Sequence, residues 1–219
     1  AASATSGREC GKALMVAVSL MLTPATHAAY ARAGMLSADG RCKTFDARAN
    51  GYARGEGVGA LTLEEGAAAQ TASLSCRVRS DGKSASLTAP NGTAQASLLT
   101  AALRNGGIDT LQCVEAHGTG TALGDPTEMG GLQRVLGATE PGVGSVKAGV
   151  GHTEPMAGLA GLVAILQGEM QVAHGTSGQL RVLNHVLLMS VSKLKAHLAT
   201  QRSGMRHVES AGVSSFGYS

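Results

Sequence analysis

The chain has 219 residues, of which 43% are apolar and 15% are charged. This composition predicts one folded domain, or one domain with an insertion, and excludes wholesale disorder. A net charge of +3 is too even to indicate a surface for nucleic acid or anionic membrane, and 2% aromatic residues exclude a stacking platform for single strands. No stretch is long enough to span a bilayer. From charge, aromatic content and segment length together, we expect neither a nucleic-acid nor a membrane partner.

The cysteines lie far apart in the chain, with no C-x-x-C pair. We therefore expect reduced thiols in an intracellular protein, rather than a disulfide framework or a zinc ribbon. Arg8 and Lys12 before an apolar run imitate a secretory signal. The chain begins without Met, however, and the run suits a buried strand equally well. We expect an internal fragment or a processed end, and a protein that is not secreted.

Strands and helices alternate along the chain, which predicts a layered α/β fold. The closely spaced Val16, Val18 and Leu20 favour a strand over Ala13–Leu22 that is buried on both faces and ended by Pro24. The other predicted strands are Ala60–Leu63 paired with Thr71–Val78, Leu111–Ala116, Gly144–Val150 and Val208–Val213. The predicted helices are Ala25–Ala33, Ala94–Arg104, Pro126–Leu136, Met156–Met170 and Val191–Ala199.

Two of these helices carry informative residues. Asp125 is a plausible N-cap for a helix with Pro126 at its first position. Small residues such as Gly158 and Gly161 let neighbouring elements approach the helix Met156–Met170, which we expect to be buried. Residues 171–206 are the least legible part of the sequence.

Two short apolar strands each run into a histidine beside glycine, at His117 and at His152. Catalytic side chains tend to follow the carboxyl ends of strands, where paired imidazoles can donate hydrogen bonds to an oxyanion and move protons near neutral pH. The competing interpretations are turn or core histidines, and a zinc site that lacks a third ligand at metal spacing. The glycine runs 118–120 and 55–59 resemble nucleotide-binding loops only weakly, because neither completes a phosphate-loop pattern.

Several longer strings occur in one order and spacing along nearly the whole chain. They are EAHGTGTALGDPTE at 115–128, GSVK at 144–147, GHTE at 151–154, AGLAGL at 157–162, CKTFD at 42–46, GYARGEG at 51–57, LTAPNG at 87–92 and SSFGYS at 214–219. Together they are similar to the later part of a β-ketoacyl synthase (ketosynthase) domain of the polyketide synthase type. The resemblance implies a thiolase-like layered α/β/α/β/α fold. In that fold, residues 1–36 would end the N-terminal ketosynthase half, and residues 37–219 would form a C-terminal half truncated at its end.

The resemblance also implies an activity, which is decarboxylative Claisen condensation in polyketide or fatty acid biosynthesis. An acyl group is loaded onto a cysteine, a malonyl-type extender loses carbon dioxide, and the resulting carbanion attacks the acyl thioester. The implied partners are an acyl carrier protein, the acyl and malonyl-type thioesters and a second copy of the enzyme in a homodimer. The phosphopantetheine arm of the carrier is a substrate carrier, and no cofactor or metal bound by the chain is implied. The implied compartment is the cytoplasm or a plastid.

Site residues carry over one by one from the matching strings. His117 and His152 would stabilise the extender's thioester enolate by donating hydrogen bonds to its oxygen, and Lys147 would orient the pair. Thr119 and Thr121 match hydroxyls that bond the phosphopantetheine arm, with ordinary turn residues as the alternative.

The closing string supplies two further candidates. Tyr218 stands where the family usually has a second Phe, at a position that resembles the gate beside the nucleophile. It is either that gate or a packed aromatic residue. Phe216 is expected near the substrate but acts there through loop packing rather than chemistry.

Departures from the family pattern limit these expectations. The family's nucleophilic cysteine lies in a Cys-Ser-Ser string that this sequence does not contain, and none of its cysteines replaces it. We therefore expect condensation by the parent enzyme, no turnover by this chain alone, and exposed apolar surface. Gly149 stands where Asn is common, which would loosen the loop that aims His152, and Ala164 stands where Lys is common. The alternatives are a non-elongating or decarboxylating relative and a non-catalytic thiolase-fold partner subunit, which retention of both histidines and the lysine opposes.

Overall fold

Two β-sheets and the helices around them make up the described part of the chain. The computed structural model describes residues 10–66, 71–80, 82, 89–167, 177–198 and 209–217. The strands are β1 (Lys12–Ser19), β2 (Gly57–Glu64), β3 (Cys113–Glu115), β4 (Gly142–Gly144) and β5 (Ala211–Val213). The helices are α1 (Pro24–Arg32), α2 (Gly92–Gly106), α3 (Gly124–Leu136), α4 (Lys147–Val150), α5 (Ala157–Gln167) and α6 (Leu188–Leu194), with 3-10 helices at Glu154–Met156 and His185–Leu187.

The first sheet pairs β1 with β2 in antiparallel register, from Lys12 opposite Glu64 to Ser19 opposite Gly57. Because side chains alternate between faces, Leu14, Val16 and Val18 share one face, and they are 63%, 60% and 45% exposed. The prediction of a strand buried on both faces is therefore wrong, because no described residue covers that face.

The predicted partner of the second strand is also wrong. The strand around Ala60–Leu63 exists as β2, but it pairs with β1, and residues 71–80 form no strand. A local pairing would need a short turn, whereas the observed pairing joins strands separated by α1 and a long loop. Sequence patterns do not encode such a distant partner.

The second sheet is parallel, with the order β4-β3-β5. Its central residues Val114 and Val143 are 2% and 1% exposed, as expected for a sheet covered on its faces. The strand predicted over Gly144–Val150 is wrong in position, because pairing ends at Gly144 and the chain turns into α4. The backbone bond from Val150 N–H to the Val146 carbonyl, at 3.1 Å, forms that turn.

The helices α2 and α3 pack together over the core. The side-chain oxygen of Asn91 caps α2 by accepting the N–H groups of Thr93 and Ala94, both at 3.1 Å. The predicted cap of α3 is wrong, because Leu123 holds the N-cap position and Asp125 lies within the first turn, where its carboxylate faces another loop. The core consists of Phe45, Leu111, Val114, Ala116, Met129, Leu132, Leu136, Val143, Leu180, Leu187 and Leu194.

Helix α5 contacts both sheets. A Cβ at Gly161 would lie 2.8 Å from the Glu115 side chain of β3, and a Cβ at Gly59 of β2 would lie 3.0 Å from Leu159. The small residues expected to admit close neighbours do so, although of this helix only Ala157 and Gly161 are buried in the structure. Residues 168–170 of the predicted helix lie outside the described residues.

The remaining helix predictions are confirmed with shifted ends. Residues 25–33 and 94–104 lie largely in α1 and α2. The helix predicted over 191–199 begins earlier and ends at Leu194, because Lys195 adopts a left-handed φ of 53°, and residue 199 lies outside the described residues. In the described part of the chain, no helix is both long enough and apolar enough to cross a membrane.

Candidate active site

Two histidine rings meet where separate loops converge. His117 follows β3 and His152 follows α4, and their ring centroids lie 5.2 Å apart with planes at 85°. The structure therefore brings together the two imidazoles that the sequence singled out.

Both rings are held in one tautomer by backbone groups. The N–H of Glu154 donates to His152 Nδ1 at 3.0 Å, and the N–H of Phe216 donates to His117 Nδ1 at 3.4 Å. A ring nitrogen that accepts a hydrogen bond carries no proton, so each neutral ring bears its proton on Nε2. The pair therefore offers two Nε2–H donors.

Burial and charge keep both rings neutral. Burial, with the positive charge of Lys147, lowers the pKa of His117 well below its usual value and lowers the pKa of His152 to about 4. Neutral donors at pH 7 suit the stabilisation of an oxyanion, because they need no change of protonation before the charge develops.

Lys147, at the start of α4, is 2% exposed, and its charge acts on both rings. Burial lowers the pKa of its ammonium group, and the nearby carboxylates of Glu115 and Glu128 oppose that shift. A buried charge is tolerated only with such compensation. Lys147 is thus part of a buried charged cluster close to the histidines.

The carboxylates of this cluster hold backbone N–H groups in place. Glu128 accepts the N–H of His117 at 2.7 Å and of Gly118 at 2.9 Å, and Glu115 accepts the N–H of Val146 at 2.8 Å. Glu128 thereby fixes the loop that carries His117, and Glu115 fixes the residue before Lys147. Burial raises the pKa of Glu115 to about 7 and also raises that of Glu128.

The glycines of the first histidine loop permit close backbone packing. Gly118 and Gly120 have φ angles of 45° and 75°, and a Cβ at Gly118 would lie 2.7 Å from Thr44. Asp125 accepts the N–H of Gly120 at 3.1 Å and of Phe45 at 2.7 Å, and burial raises its pKa to about 7. Asp125 therefore ties two loops together instead of capping a helix.

The predicted substrate-binding residues are placed unequally. Thr119 is buried and its hydroxyl lies 3.3 Å from that of Thr121, which also accepts the N–H of Gly124 at 3.1 Å. Phe216 lies edge-on to His117 with ring centroids 5.6 Å apart, so it contacts the site through its ring as well as its backbone. Tyr218 lies outside the described residues.

Sequence reasoning missed the neighbours of His152. Tyr52 is 3% exposed and packs edge-on against the ring, with centroids 5.1 Å apart. Arg54 binds Glu154 through two hydrogen bonds of 2.6 and 3.0 Å. The available signal was that these residues lie inside the strings GYARGEG and GHTE, where several charged residues stand among glycines.

A zinc site was the competing interpretation of the two histidines, and it requires further ligands nearby. In the described ranges, no three His, Cys, Asp or Glu side chains lie close enough to hold a metal ion. All four cysteines are free thiols, and burial raises the pKa values of Cys42 and Cys113. A Cβ at Gly149 would have open space within 4 Å, so an asparagine there would meet no steric barrier at that atom.

Sequence comparison places this arrangement in a known family. Residues 1–69 match the family model described as "Beta-ketoacyl synthase, N-terminal domain", and residues 71–177 match "Beta-ketoacyl synthase, C-terminal domain". One phenolphthiocerol/phthiocerol polyketide synthase protein of Mycobacterium tuberculosis is 39% identical over 97% of this chain and 10% of that protein. A highly reducing polyketide synthase of Aspergillus niger is 36% identical over 96% of this chain and 9% of that protein.

Solved structures agree. The ketosynthase from module 6 of the bacillaene synthase of Bacillus subtilis is 32% identical, with a TM-score of 0.86 over 99% of this chain and 42% of that one. An oxazolomycin ketosynthase domain from Streptomyces albus is 32% identical, with a TM-score of 0.83 over 90% of this chain and 36% of that one. The chain thus spans less than half of each of these two ketosynthases.

The fold and the site define an α/β protein of the thiolase-like class. Within that class, the chain belongs to the β-ketoacyl synthase family and corresponds to part of a ketosynthase domain of the polyketide synthase type.

Proposed function

We propose that this chain supplies the enolate-binding half of a condensing active site. The observation that carries the proposal is the facing pair of neutral histidines, each with its proton on Nε2. Two such donors in a buried site can share one oxygen on which negative charge develops.

The proposed reaction has two steps. In the first, the bond between the α-carbon and the carboxylate of a malonyl-type thioester breaks, carbon dioxide leaves, and the electron pair forms an enolate. The Nε2–H groups of His117 and His152 donate to the enolate oxygen. In the second step the α-carbon attacks the acyl thioester on a cysteine, a carbon–carbon bond forms, and the carbon–sulfur bond breaks to release the thiolate.

Lys147 acts on the histidines and not on the substrate in this scheme. Its charge, buried within the cluster of Glu115 and Glu128, helps keep both rings unprotonated. A protonated ring would have no acceptor at Nδ1 for its backbone N–H, and its orientation would be lost.

The proposed substrate carrier is an acyl carrier protein, whose phosphopantetheine arm would bond the hydroxyls of Thr119 and Thr121. The mutual distance of these hydroxyls, 3.3 Å, lets one group of the arm contact both. Phe216 and Tyr218 would border the acyl chain. We further propose that the enzyme containing this chain is a homodimer.

The test is condensation by the complete enzyme that contains this chain, with malonyl-carrier and acyl thioester as substrates. We expect His117→Ala and His152→Ala each to lower the rate by about a hundred- to a thousandfold, the usual effect of removing one oxyanion donor. His197→Ala, at an exposed histidine, is the matched control and should keep the rate. Undiminished product from either site variant would overturn the proposal.

The same assay separates the decarboxylating alternative. Release of carbon dioxide without a new carbon–carbon bond would assign the histidine pair to decarboxylation alone. The alternative of a non-catalytic partner subunit requires that neither product forms and that the alanine variants behave like the unmodified enzyme.

A further inference from the structure

Residues 53–59 hold the turn that follows His152 in two ways. In the first, Arg54 binds the carboxylate of Glu154 with both Nε and Nη2. The Arg54 side chain is only 6% exposed, and its guanidinium lies over the Tyr30 ring at 5.3 Å from the centroid. A paired, stacked and buried guanidinium is a rigid anchor.

Glu154 needs such an anchor. Its φ is 44°, a left-handed conformation that residues other than glycine rarely adopt. In that conformation its own N–H donates to His152 Nδ1 at 3.0 Å. A change of φ alters the angle between this N–H and the residues that follow it. Because Met156 is packed against Gly57 and Gly59, the peptide that carries the N–H would take up the rotation and turn away from the imidazole.

The second way is close packing of the glycines at 55, 57 and 59 against the turn. A Cβ at Gly55 would lie 2.7 Å from the carbonyl oxygen of Val150, and one at Gly57 would overlap the sulfur of Met156. The two backbones are also hydrogen-bonded here. The backbone N–H of His152 donates to the carbonyl oxygen of Ala53 at 2.7 Å, and the N–H of Gly55 donates to the carbonyl oxygen of His152 at 2.8 Å. The absent side chains let the turn lie directly on the backbone of residues 53–59.

The geometry points to a positioning role for residues 54–59: Arg54 and the alternating glycines hold the turn 152–156 so that the Glu154 N–H selects the Nε2–H tautomer of His152. This glycine run, which only weakly resembles a nucleotide-binding loop in the sequence, thus helps to position His152. The inference rests on the proposed function for its consequence in catalysis, because the tautomer decides which nitrogen can donate to an enolate.

The tautomer can be measured without substrate. In the 219-residue chain labelled with ¹⁵N at histidine, the side-chain nitrogen shifts at pH 7 report which nitrogen bears the proton, and His152→Ala assigns the signals. We expect Nε2–H for His152 in the unmodified chain. Arg54→Met should lower the ratio of Nε2–H to Nδ1–H about fivefold, the size expected for losing one neutral hydrogen bond. Arg54→Lys, which keeps a cation, should restore part of the ratio.

A second variant reaches the turn from the glycine side. Gly55→Ala pushes on the backbone of Val150 and should shift the His152 tautomer while Arg54 and Glu154 are both retained. It also decides the question if Arg54→Met does not fold. Gly130→Ala, where a Cβ meets nothing within 4 Å, is its control.

Lys195→Met is the control for the ion pair. Lys195 binds Glu140, whose φ of 58° is also left-handed. In the described part of the chain, Glu140 forms no observed hydrogen bond with His117 or His152. His117 is the internal control for folding, because Phe216 rather than this turn holds it. An unchanged His152 tautomer in Gly55→Ala, and in Arg54→Met where that variant folds, with His117 intact, would overturn the inference. Failure of the condensation assay would leave this measurement unaffected, so the two ideas fail separately.

Discussion

The two sheets distribute polar and apolar side chains in opposite ways. On the outer face of β1 and β2, Leu14, Val16 and Val58 are 63%, 60% and 67% exposed. Beside β3 and β4, Glu115 and Lys147 are 4% and 2% exposed. The usual arrangement, apolar inside and charged outside, is reversed in both places.

The two regions differ in whether the unfavourable arrangement is compensated. The buried charges have opposite charges and backbone N–H groups around them, so the cost of removing them from water is offset. The exposed apolar face has no such compensation, and a contiguous face of this kind favours association with other surfaces. The buried charges belong to the active site, whereas the exposed apolar side chains affect how the chain associates with other surfaces.

The largest loss of stability is expected when a group that compensates the buried charges is removed. Glu128→Ala leaves the N–H groups of His117 and Gly118 without their acceptor and removes one carboxylate near Lys147. We expect the free energy of unfolding to fall by about 3–5 kcal/mol, measured by chemical denaturation. Glu140→Ala, at an exposed ion pair, should cost less than about 1 kcal/mol. Equal losses would show that burial of the Glu128 carboxylate does not matter.

A smaller effect is expected from crowding the first histidine loop. Gly118→Ala combines a left-handed φ of 45° with a Cβ 2.7 Å from Ser145, so we expect a loss of about 3 kcal/mol. Gly107→Ala, at the left-handed C-cap of α2 with a φ of 63° and no atom within 4 Å, isolates the conformational cost of about 1 kcal/mol. Identical melting curves for the two variants would mean that the loop can move aside.

The third expectation concerns pH. The pKa of Glu115 is raised to about 7 in the folded chain, so its contribution to stability is present at low pH and lost as pH rises through 7. The pKa of His152 is lowered to about 4, so its contribution has the opposite sign and is lost as pH falls from about 6.5 to 4. Glu115→Gln removes the compensating contribution.

Between pH 7 and pH 5 the stability of Glu115→Gln should therefore fall by about 1–2 kcal/mol more than that of the unmodified chain. Denaturant midpoints at pH 5, 6 and 7 measure this difference. Parallel curves would show that Glu115 takes up no extra proton in the folded state.

The smallest effect on stability is expected on the outer face of the first sheet. Val16→Thr should change the free energy of unfolding by less than about 0.5 kcal/mol, because the side chain is already in water. It should also reduce self-association, measured by sedimentation velocity. Val143→Thr, at a residue 1% exposed, should instead cost about 1–3 kcal/mol. A stability loss at Val16 as large as that at Val143 would contradict the contrast between the sheets.

Local signals in the sequence predicted much of the helical content. The predicted helix Ala94–Arg104 lies within α2, and small residues identified α5 as the helix that neighbours approach closely. Long-range pairing was less accessible, since β2 pairs with β1 instead of the adjacent residues 71–80. The strand predicted over 144–150 contains α4, because a short apolar run with β-branched residues suits a strand and a buried turn equally.

The same distinction between local and long-range signals applies to the candidate site. The residue types and strings around positions 117, 147 and 152 were sufficient to predict a pair of histidines, a lysine and the family to which the chain belongs. They were insufficient to predict which groups orient each ring, since Phe216 lies 99 residues from His117 in sequence and Arg54 lies 100 residues from Glu154.

What the sequence alone determined is therefore the chemistry available: imidazoles beside glycines, acidic residues and a lysine, each within a contiguous string. The tertiary structure decided how that chemistry is set, by bringing backbone N–H groups from distant loops to the Nδ1 atoms and by withdrawing the charges from water. The reason is physical: a tautomer and a pKa depend on neighbours within a few ångströms, and only folding chooses those neighbours.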